Sequence, residues 1–193
     1  LENTNIAYLD ISNSMNITNL DSLMKIENLE SFYSTNCEMA YTEKLYNYLN
    51  NNSIEHDIEY EELKIREQVK DIADEIIDEN MTEKEKSDAI IQYVVDNIEY
   101  DYVALEDEEL CTEYNLFALK YALQGIGVCR NYSALTNVLM LEAGINCYEI
   151  GSGDHIWNLV ELDNEFYWLD TTWLDDGSDD IKASPYYMNK EYD

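Results

Sequence analysis

The sequence predicts an α+β fold, in which helices pack on an antiparallel sheet formed by the C-terminal part of the chain. Apolar residues recur at helical spacing through the middle of the chain, up to Gly144, a residue typical of helix ends. Three short alternating stretches follow, and the pair Asp163-Asn164 between the last two suits a tight hairpin turn. These predicted strands cover 146–150, 156–162 and 165–169.

The helices predicted before this sheet are justified by apolar stripes and by their end residues. One of them opens with a capping box, because Thr82 and Glu85 stand three residues apart and can each bond the other's backbone N–H. The acidic run at 106–109 is predicted to be a solvated connection between helices. The predicted helices cover 39–49, 63–79, 82–98, 112–123 and 129–144, and a short strand is predicted at 54–60.

The first 40 residues contain a repeated apolar pattern. The spacing of Ile6, Leu9 and Ile11 returns 23 residues later, at Leu29, Phe32 and Ser34. This pattern resembles one and a half leucine-rich repeats, of the kind common in bacterial surface proteins. We therefore predict a repeat-like segment over 1–60 that contributes no catalytic group. The resemblance also implies a secreted or cell-surface location, although a cytoplasmic one stays open.

The charge of the chain is strongly negative. Its 42 acidic residues face 11 basic ones, which gives a formal net charge of −31. Nucleic acids and anionic membranes are therefore not expected partners, because phosphate binding needs clustered Lys and Arg. A protein or peptide substrate fits this charge, and a Lys-rich or otherwise cationic one fits it best. No apolar stretch approaches membrane-spanning length, and the start at Leu1 is expected to mark a fragment without a membrane-inserted segment.

One of four cysteines stands in a context that favours reactivity. In "GIGVCRNYSAL", Cys129 follows two glycines and precedes a predicted helix. A helix N-terminus stabilises a thiolate, so we expect a nucleophile with a depressed pKa. The other cysteines lack such a context, form no CxxC pair and are predicted to be buried apolar residues. They are Cys37, Cys111 and Cys147.

A base and an orienting carboxylate are predicted on adjacent strands of the sheet. His155 starts one strand and Asp170 ends the next, so a hairpin places them side by side. The helix that follows Cys129 must bury its apolar face on this sheet, which can bring the thiol to the imidazole. Histidine can then take the thiol proton, and the carboxylate can fix the tautomer of the ring. The backbone N–H of Cys129 is a candidate oxyanion donor.

The segments around these three residues resemble the active-site segments of the transglutaminase-like superfamily. The segments "GVCRNY", "DHIWNLVEL" and "FYWLDTTW" match its patterns G-x-C-x-x-Y/F, H-x-W-N and D-x-T-W in the family's order. "SDAIIQYVVDNIEYDY" resembles the opening helix and "YYMNKE" the closing segment of that domain. The resemblance implies a papain-type catalytic domain over 61–193, with Cys129 as nucleophile, His155 as general base and acid, and Asp170 as orienting carboxylate.

Further site residues are predicted with open alternatives. Gln124 and Tyr102 are candidates for a second oxyanion donor, since papain-like enzymes use an upstream glutamine, but packing or solvent exposure is favoured for each alone. Trp157 and Trp173 either wall the cleft or are ordinary core aromatics. The acidic run at 175–180 lacks the EF-hand pattern and is predicted to be a solvated loop rather than a calcium site. No metal and no cofactor are predicted.

The predicted chemistry is acyl transfer at an amide bond through a thioester on Cys129. Water as the acceptor would make the protein a cysteine peptidase or amidase, which is the favoured interpretation. An amine as the acceptor would make it a protein-glutamine transglutaminase. A non-catalytic binding module with a closed cleft is a third hypothesis. Substrate identity, calcium dependence and oligomeric state are not predicted.

Overall fold

The computed structural model describes residues 5–14, 16–17 and 19–175, together with the backbone of 187–188. The chain divides into two compact units, Leu1–Gln68 and Val69–Asp193. Helices and sheets both occur, which confirms the predicted mixture of the two. Over the described ranges, no helix has the length and apolar character needed to cross a membrane.

The first unit contains a small parallel sheet. Its strands are β1 (Tyr8–Asp10), β2 (Ser31–Tyr33) and β3 (Glu55–His56), in that spatial order. Leu9 pairs with Phe32, so the register between β1 and β2 equals the 23-residue offset of the apolar pattern. Phe32 in turn pairs with His56. Each strand thus adds one layer, and successive layers are separated by nearly the same length of chain.

Polar side chains in this unit also pair at the 23-residue offset. Asn28 donates to Asn5 over 3.0 Å, and the buried Asn36 donates to Asn13 over 2.9 Å. The Lys44 ammonium lies 3.3 Å from the Asp21 carboxylate. Between the layers lies an apolar core that contains Leu23, Ile26, Leu29, Phe32, Cys37, Tyr41, Leu45, Leu49, Ile54 and Ile58.

Two predicted boundaries in the first unit were wrong. The helix expected from residue 39 begins later, as α1 (Glu43–Asn51), because the Thr42 hydroxyl accepts the N–H of Leu45 and caps it there. The strand expected over 54–60 is limited to β3, and a single 3₁₀ turn occupies Tyr60–Glu62. The Glu59 N–H bonds to the Glu62 carboxylate, which ends the extended stretch.

One of the remaining helices, in the second unit, is buried along most of its length. This helix, α6 (Cys129–Glu142), is buried continuously from Asn131 to Met140, so it has no solvent face over that stretch. The predicted capping box is confirmed: Glu85 N–H donates to the Thr82 hydroxyl and Thr82 N–H donates to the Glu85 carboxylate. The helices are α2 (Leu63–Ile76), α3 (Glu83–Asn97), α4 (Glu108–Leu116), α5 (Ala118–Leu123), α6 (Cys129–Glu142) and α7 (Thr171–Leu174).

The helix predicted over 112–123 is in fact two helices. The first, α4, begins inside the acidic run that was predicted to be a connection. The Asp107 carboxylate accepts the N–H groups of Glu109 and Leu110, each over 3.1 Å. Negative side chains are stabilised in the first turn of a helix, so the run serves as a helix start. The break falls at Phe117, which separates α4 from α5.

Two sheets complete the second unit. A short parallel pair joins β4 (Glu99–Tyr100) to β5 (Ile126–Gly127). The larger sheet is antiparallel, and Asp163 and Asn164 both have positive φ in the hairpin between its second and third strands, as the predicted tight turn requires. Its strands are β6 (Cys147–Ser152), β7 (His155–Leu162), β8 (Glu165–Leu169) and β9 (Tyr187–Met188), in that order. The segment "YYMNKE" lies outside the described residues except for β9.

Candidate active site

The start of α6 is fixed by a buried asparagine. The Asn131 side chain accepts the N–H of Val128 over 2.8 Å and donates to the carbonyls of Tyr114 and Ala118 over 3.1 and 3.0 Å. Asn131 is fully buried, so these bonds are protected from competition with water. One side chain thus satisfies the first turn of α6 and joins it to α4 and α5, which positions Cys129.

Gly127 is required because Asn131 occupies the space next to it. A Cβ atom at residue 127 would lie 2.3 Å from the Asn131 Cβ and 2.7 Å from its Oδ1. No real Cβ comes so close to another atom, so a side chain here would displace the asparagine and the helix start with it. This contact gives a physical reason for the glycine two positions before Cys129 in the motif.

The Cys129 thiol lies at the N-terminus of α6, next to the first residues of β7. Burial is the main influence on its acidity and raises the pKa of the thiol, while the N–H groups of Ile156 and Arg130 lower it by a smaller amount. The neighbouring Asp170 raises the pKa further. The expected depressed pKa was therefore wrong, because desolvation of the thiolate outweighs the stabilising N–H groups.

His155 and Asp170 are in direct contact. The His155 Nε2 lies 2.6 Å from the Asp170 Oδ2, and both side chains are largely shielded, with 22% and 10% of their area exposed. The other oxygen of Asp170 accepts the N–H groups of Thr172 and Trp173, each over 3.1 Å. The same carboxylate therefore caps α7 with one oxygen and binds the imidazole with the other. This double role accounts for the spacing of the D-x-T-W motif.

Two indole rings stack on the imidazole. The ring centroids of Trp157 and Trp173 lie 5.6 and 5.3 Å from that of His155, with interplanar angles of 25° and 10°. Trp173 is 61% exposed and is therefore not a core aromatic. Trp157 also meets Trp168 edge to face at 6.0 Å. The aromatic surface restricts the orientation of the imidazole that Asp170 holds.

Hydrogen bonds join the three elements that carry these groups. Asn158 of β7 donates to the Ser133 carbonyl over 3.1 Å, and the Ser133 hydroxyl donates to the Trp157 carbonyl over 3.3 Å. The hydroxyls of Thr136 and Thr171 are bonded over 3.0 Å and join α6 to α7. Because most of these atoms are buried, the thiol, imidazole and carboxylate are carried on a rigidly connected frame.

An ion pair connects the start of α6 to β6. The Arg130 guanidinium lies 3.5 Å from the Glu149 carboxylate, and both side chains are mostly buried. Burial raises the pKa of Glu149, and the neighbouring arginine partly offsets this increase. The sequence offered no signal for this pair, since Arg130 and Glu149 are far apart along the chain.

The two predicted oxyanion candidates both precede β5 in the sequence and lie in different surroundings. Tyr102 lies in the turn after β4 and is 73% exposed. Gln124 ends α5, where its backbone N–H bonds to the carbonyls of Lys120 and Tyr121. Both assignments stay predictions.

Sequence reasoning missed Tyr100, which pairs with Gly127, two positions before Cys129. It belongs to β4, and its ring lies 5.0 Å from the Tyr102 ring and 6.0 Å from the Tyr132 ring. Burial raises the pKa of Tyr100, and the charges of Cys129 and Asp170 raise it further. In the sequence, Tyr100 is one of many tyrosines, and only its position in a strand next to β5 distinguishes it.

The other cysteines differ in burial. Cys37 and Cys147 are buried as predicted, and burial raises the pKa of Cys147 to about 12. Cys111 is only half-buried, which corrects the prediction for this residue; it lies on α4, where the Asn115 amide donates to its sulfur. None of the four cysteines, all of which lie in the described part of the chain, forms a disulfide.

The acidic run predicted as a solvated loop falls almost entirely outside the described residues. Its first member, Asp175, accepts a hydrogen bond from the Tyr132 hydroxyl, while 176–180 lie beyond the described part of the chain. Within the part that the structure describes, no group of three or more His, Cys, Asp or Glu side chains is arranged to hold a metal ion.

A family model described as the transglutaminase-like superfamily matches residues 70–174, more than half of the chain. The structure is also similar to a crystal structure of a TGase, with 17% sequence identity and a TM-score of 0.49; the similarity covers 74% of this chain and 41% of that one. The matched part of this chain thus spans about two fifths of the length of that protein. No curated protein matches the sequence. The chain belongs to the transglutaminase-like superfamily, which generally implies cysteine-dependent acyl transfer.

Proposed function

We propose that this protein cleaves amide bonds by transferring the acyl group to Cys129 and then to water. The observation that carries the proposal is the 2.6 Å contact between His155 and Asp170 at the start of β7. The residue after His155 is Ile156, and its backbone N–H interacts with the Cys129 thiol. A nucleophile, a base and an orienting carboxylate are the groups that thiol-based acyl transfer requires.

The first half of the reaction forms a thioester. Asp170 engages the Nε2 of His155, which leaves Nδ1 to take the proton of the Cys129 thiol. The sulfur attacks the carbonyl carbon of the amide and the carbonyl oxygen becomes an oxyanion. The C–N bond then breaks, and the imidazolium of His155 gives its proton to the departing amine.

The second half releases the acid. Water enters after the amine has left, and His155 removes a proton from it as the oxygen attacks the thioester carbonyl. The C–S bond breaks, and the proton held by His155 returns to the Cys129 sulfur. The net reaction consumes one water and yields an amine and a carboxylic acid.

The raised pKa of Cys129 determines when the thiol loses its proton. Because burial favours the neutral thiol, the sulfur is not a preformed thiolate in the resting protein. His155 then acts as a general base during the attack rather than as the permanent partner of an ion pair. An enclosed base held by Asp170 suits this role.

The exposed side chains of Trp173, Tyr102 and Val103 favour water over an amine as the acceptor. A transglutaminase must keep its thioester away from water until an amine arrives. Here Trp173 is 61% exposed, and Tyr102 and Val103 are 73% and 70% exposed. Protein-glutamine transglutaminase activity remains the second candidate, since the acidic surface would also attract an amine donor such as a Lys-rich segment.

The substrate that best fits this surface is a peptide segment with cationic residues. The net charge of −31 attracts positive chains over distances up to about 10 Å at moderate salt. The exposed Val103 and Leu105 stand directly before the acidic run 106–109, so apolar and negative surface lie close together. A segment with an apolar residue near lysines would contact both.

For the first unit, we propose a leucine-rich-repeat-like segment with no catalytic group. Its support is the layered parallel sheet and the Asn28–Asn5 and Asn36–Asn13 bonds at one repeated offset. Stacked layers of this kind bury a continuous core that a single layer cannot bury alone. A secreted or cell-surface location is part of the same proposal and depends on this resemblance.

The test uses a mixed peptide library with and without a primary amine, and mass spectrometry identifies the products. We expect new peptide termini in the wild-type reaction and none with Cys129→Ala. The amine is then titrated against water on one acyl donor. If the amine adduct dominates at millimolar amine and hydrolysis is minor, the peptidase proposal is wrong and transglutaminase activity replaces it.

A further inference from the structure

We infer that the Tyr100 hydroxyl is a catalytic oxyanion donor of this site, acting together with the backbone N–H of Cys129. This inference rests on the proposed acyl transfer and adds a residue that stabilises its transition state. Oxyanion donors contribute most when they are fixed in place before the reaction, so Tyr100 can act in this way only if the fold fixes its position.

The backbone fixes Tyr100 beside the start of α6. In the parallel pair of β4 and β5, Tyr100 lies opposite Gly127, two positions before Cys129. The flanking N–H groups anchor the strand on both sides, because Glu99 donates to the Gly125 carbonyl and Asp101 donates to the Gly127 carbonyl, each over 2.9 Å. Tyr100 therefore cannot shift along β5 without breaking these bonds.

The aromatic ring is held against the first turn of α6. Its centroid lies 6.0 Å from that of Tyr132, which follows Cys129 by three residues and so shares its helix face. Tyr132 is itself fully buried, and its hydroxyl oxygen lies 2.8 Å from the Ile98 carbonyl oxygen. Tyr100 also packs against the buried cluster that contains Val128. The ring thus lies along the helix face that carries the thiol.

The surroundings of the hydroxyl keep it protonated. Burial and the nearby Cys129 and Asp170 all raise the pKa of Tyr100, so the phenol stays a neutral donor at neutral pH. A neutral O–H group held next to the start of α6 can donate to an oxyanion that forms on the attacked carbonyl. The same negative surroundings that disfavour ionisation of Tyr100 keep its phenol protonated, which is the form that can donate a hydrogen bond.

Tyr100 and Tyr102 differ in how far water reaches their side chains. Tyr102 is 73% exposed, whereas Tyr100 is half-buried and packed on α6. Water competes for an exposed donor, so its hydrogen bond stabilises an oxyanion less. Tyr100 therefore satisfies the requirement for preorganisation and Tyr102 does not.

The experiment separates oxyanion stabilisation from thiol positioning by using two reagents. Acetylation of Cys129 by p-nitrophenyl acetate passes through a tetrahedral oxyanion, whereas alkylation by iodoacetamide is a displacement at carbon that forms none. We expect Tyr100→Phe to slow acetylation by about 10²–10³-fold. Alkylation of Cys129 should stay within about twofold, because the phenyl ring keeps the contacts with Tyr132 and α6.

Control variants give each outcome a meaning. Tyr148→Phe, at an exposed tyrosine of β6, should leave both rates unchanged. An equal fall in acetylation and alkylation with Tyr100→Phe would overturn the inference, since it would mean that Tyr100 positions the thiol. Unchanged acetylation, or a fall seen with Tyr102→Phe instead, would overturn it too.

Failure of the proposed function has a separate signature. If the wild-type protein is alkylated at Cys129 but never acetylated there, the acyl-transfer proposal fails and takes the inference with it. If the wild type is acetylated and Tyr100→Phe is acetylated at the same rate, only the inference about Tyr100 fails. Mass mapping of the modified peptide distinguishes the two results.

Discussion

The two units of this chain arrange their polar groups in opposite ways. In the first unit, Asn28 bonds to Asn5 and Asn36 bonds to Asn13, so each group meets its counterpart one offset away. In the second unit, the polar bonds described above join unrelated elements, such as α6 to α4, β7 and α7. Asparagine therefore pairs with a counterpart in one unit, whereas Asn131 and Asn158 in the other unit each bond to a different element.

This difference shows that polar bonds can either repeat from layer to layer or join several different elements at one site. A repeated bond adds a similar increment of stability at each layer, and loss of one leaves its neighbours in place. A convergent network has no substitute for any member, because each bond fixes a different element. The predictions below test that contrast, from the largest expected effect to the smallest.

The two histidines provide the sharpest contrast, since one lies in each unit. His155→Ala should lower the rate of acyl transfer by about 10²–10⁴-fold because it removes the general base. His56 lies in β3 and packs edge to face on Tyr46, so His56→Ala should leave the rate unchanged. Initial rates on one acyl donor measure both. The reverse result would contradict the assignment of the base.

Two glycines of the second unit test convergence at the start of α6. Gly127→Ala should destabilise the protein by about 3 kcal/mol or more and slow alkylation of Cys129, because the new methyl group strikes Asn131. Gly151→Ala is the matched control, since its Cβ would meet only ordinary contacts at 3.7 Å or beyond. Urea denaturation measures the difference. Equal stability of the two variants would contradict the proposed role of the contact.

Two asparagines test the repeated bonds of the first unit. Asn36→Ala should cost about 2 kcal/mol, because the residue is 4% exposed, bonds to Asn13 and has a φ of 60°, which alanine tolerates poorly. Asn28→Ala removes only an exposed bond and should cost less than about 0.5 kcal/mol. Hydrogen exchange of peptides from 5–60 measures local stability. Acyl transfer should be unchanged in both variants.

The pH dependence of Cys129 alkylation gives the smallest expected effect. Because the folded protein raises the pKa of this thiol, less thiolate is present at pH 8 than in the unfolded chain. The alkylation rate in the folded protein should therefore keep rising above the ordinary thiol pKa of about 8.5, while the rate in urea levels off near it. If the pH midpoint of Cys129 alkylation is lower in the folded protein than in the unfolded chain, the thiol pKa is depressed and the resting protein holds a preformed thiolate.

Features set by local chemistry could be predicted from the sequence. The Thr82 capping box and the Asp163-Asn164 turn depend on neighbouring residues alone, and the 23-residue offset is a spacing visible in the chain. The contact between His155 and Asp170 follows from hairpin geometry combined with the family resemblance. In each case the determining residues are close in sequence or joined by one tight turn.

Features set by tertiary surroundings could not be predicted. The acidity of Cys129 depends on how much water reaches the sulfur, and a helix-start pattern contains no information about burial. Asn131 matters because Tyr114 and Ala118 offer carbonyls to it from two other helices. Tyr100 becomes a site residue only through the pairing of β4 with β5.

The stacking of Trp157 and Trp173 on His155 gives the protein an optical reporter of its own base. A protonated imidazole in contact with indole quenches the emission of the excited ring, whereas the neutral imidazole quenches it much less. The chain has three tryptophans, and the third, Trp168, meets Trp157 edge to face. Tryptophan emission should therefore follow the proton on His155, so that its transfer in each half of the reaction becomes visible without a label.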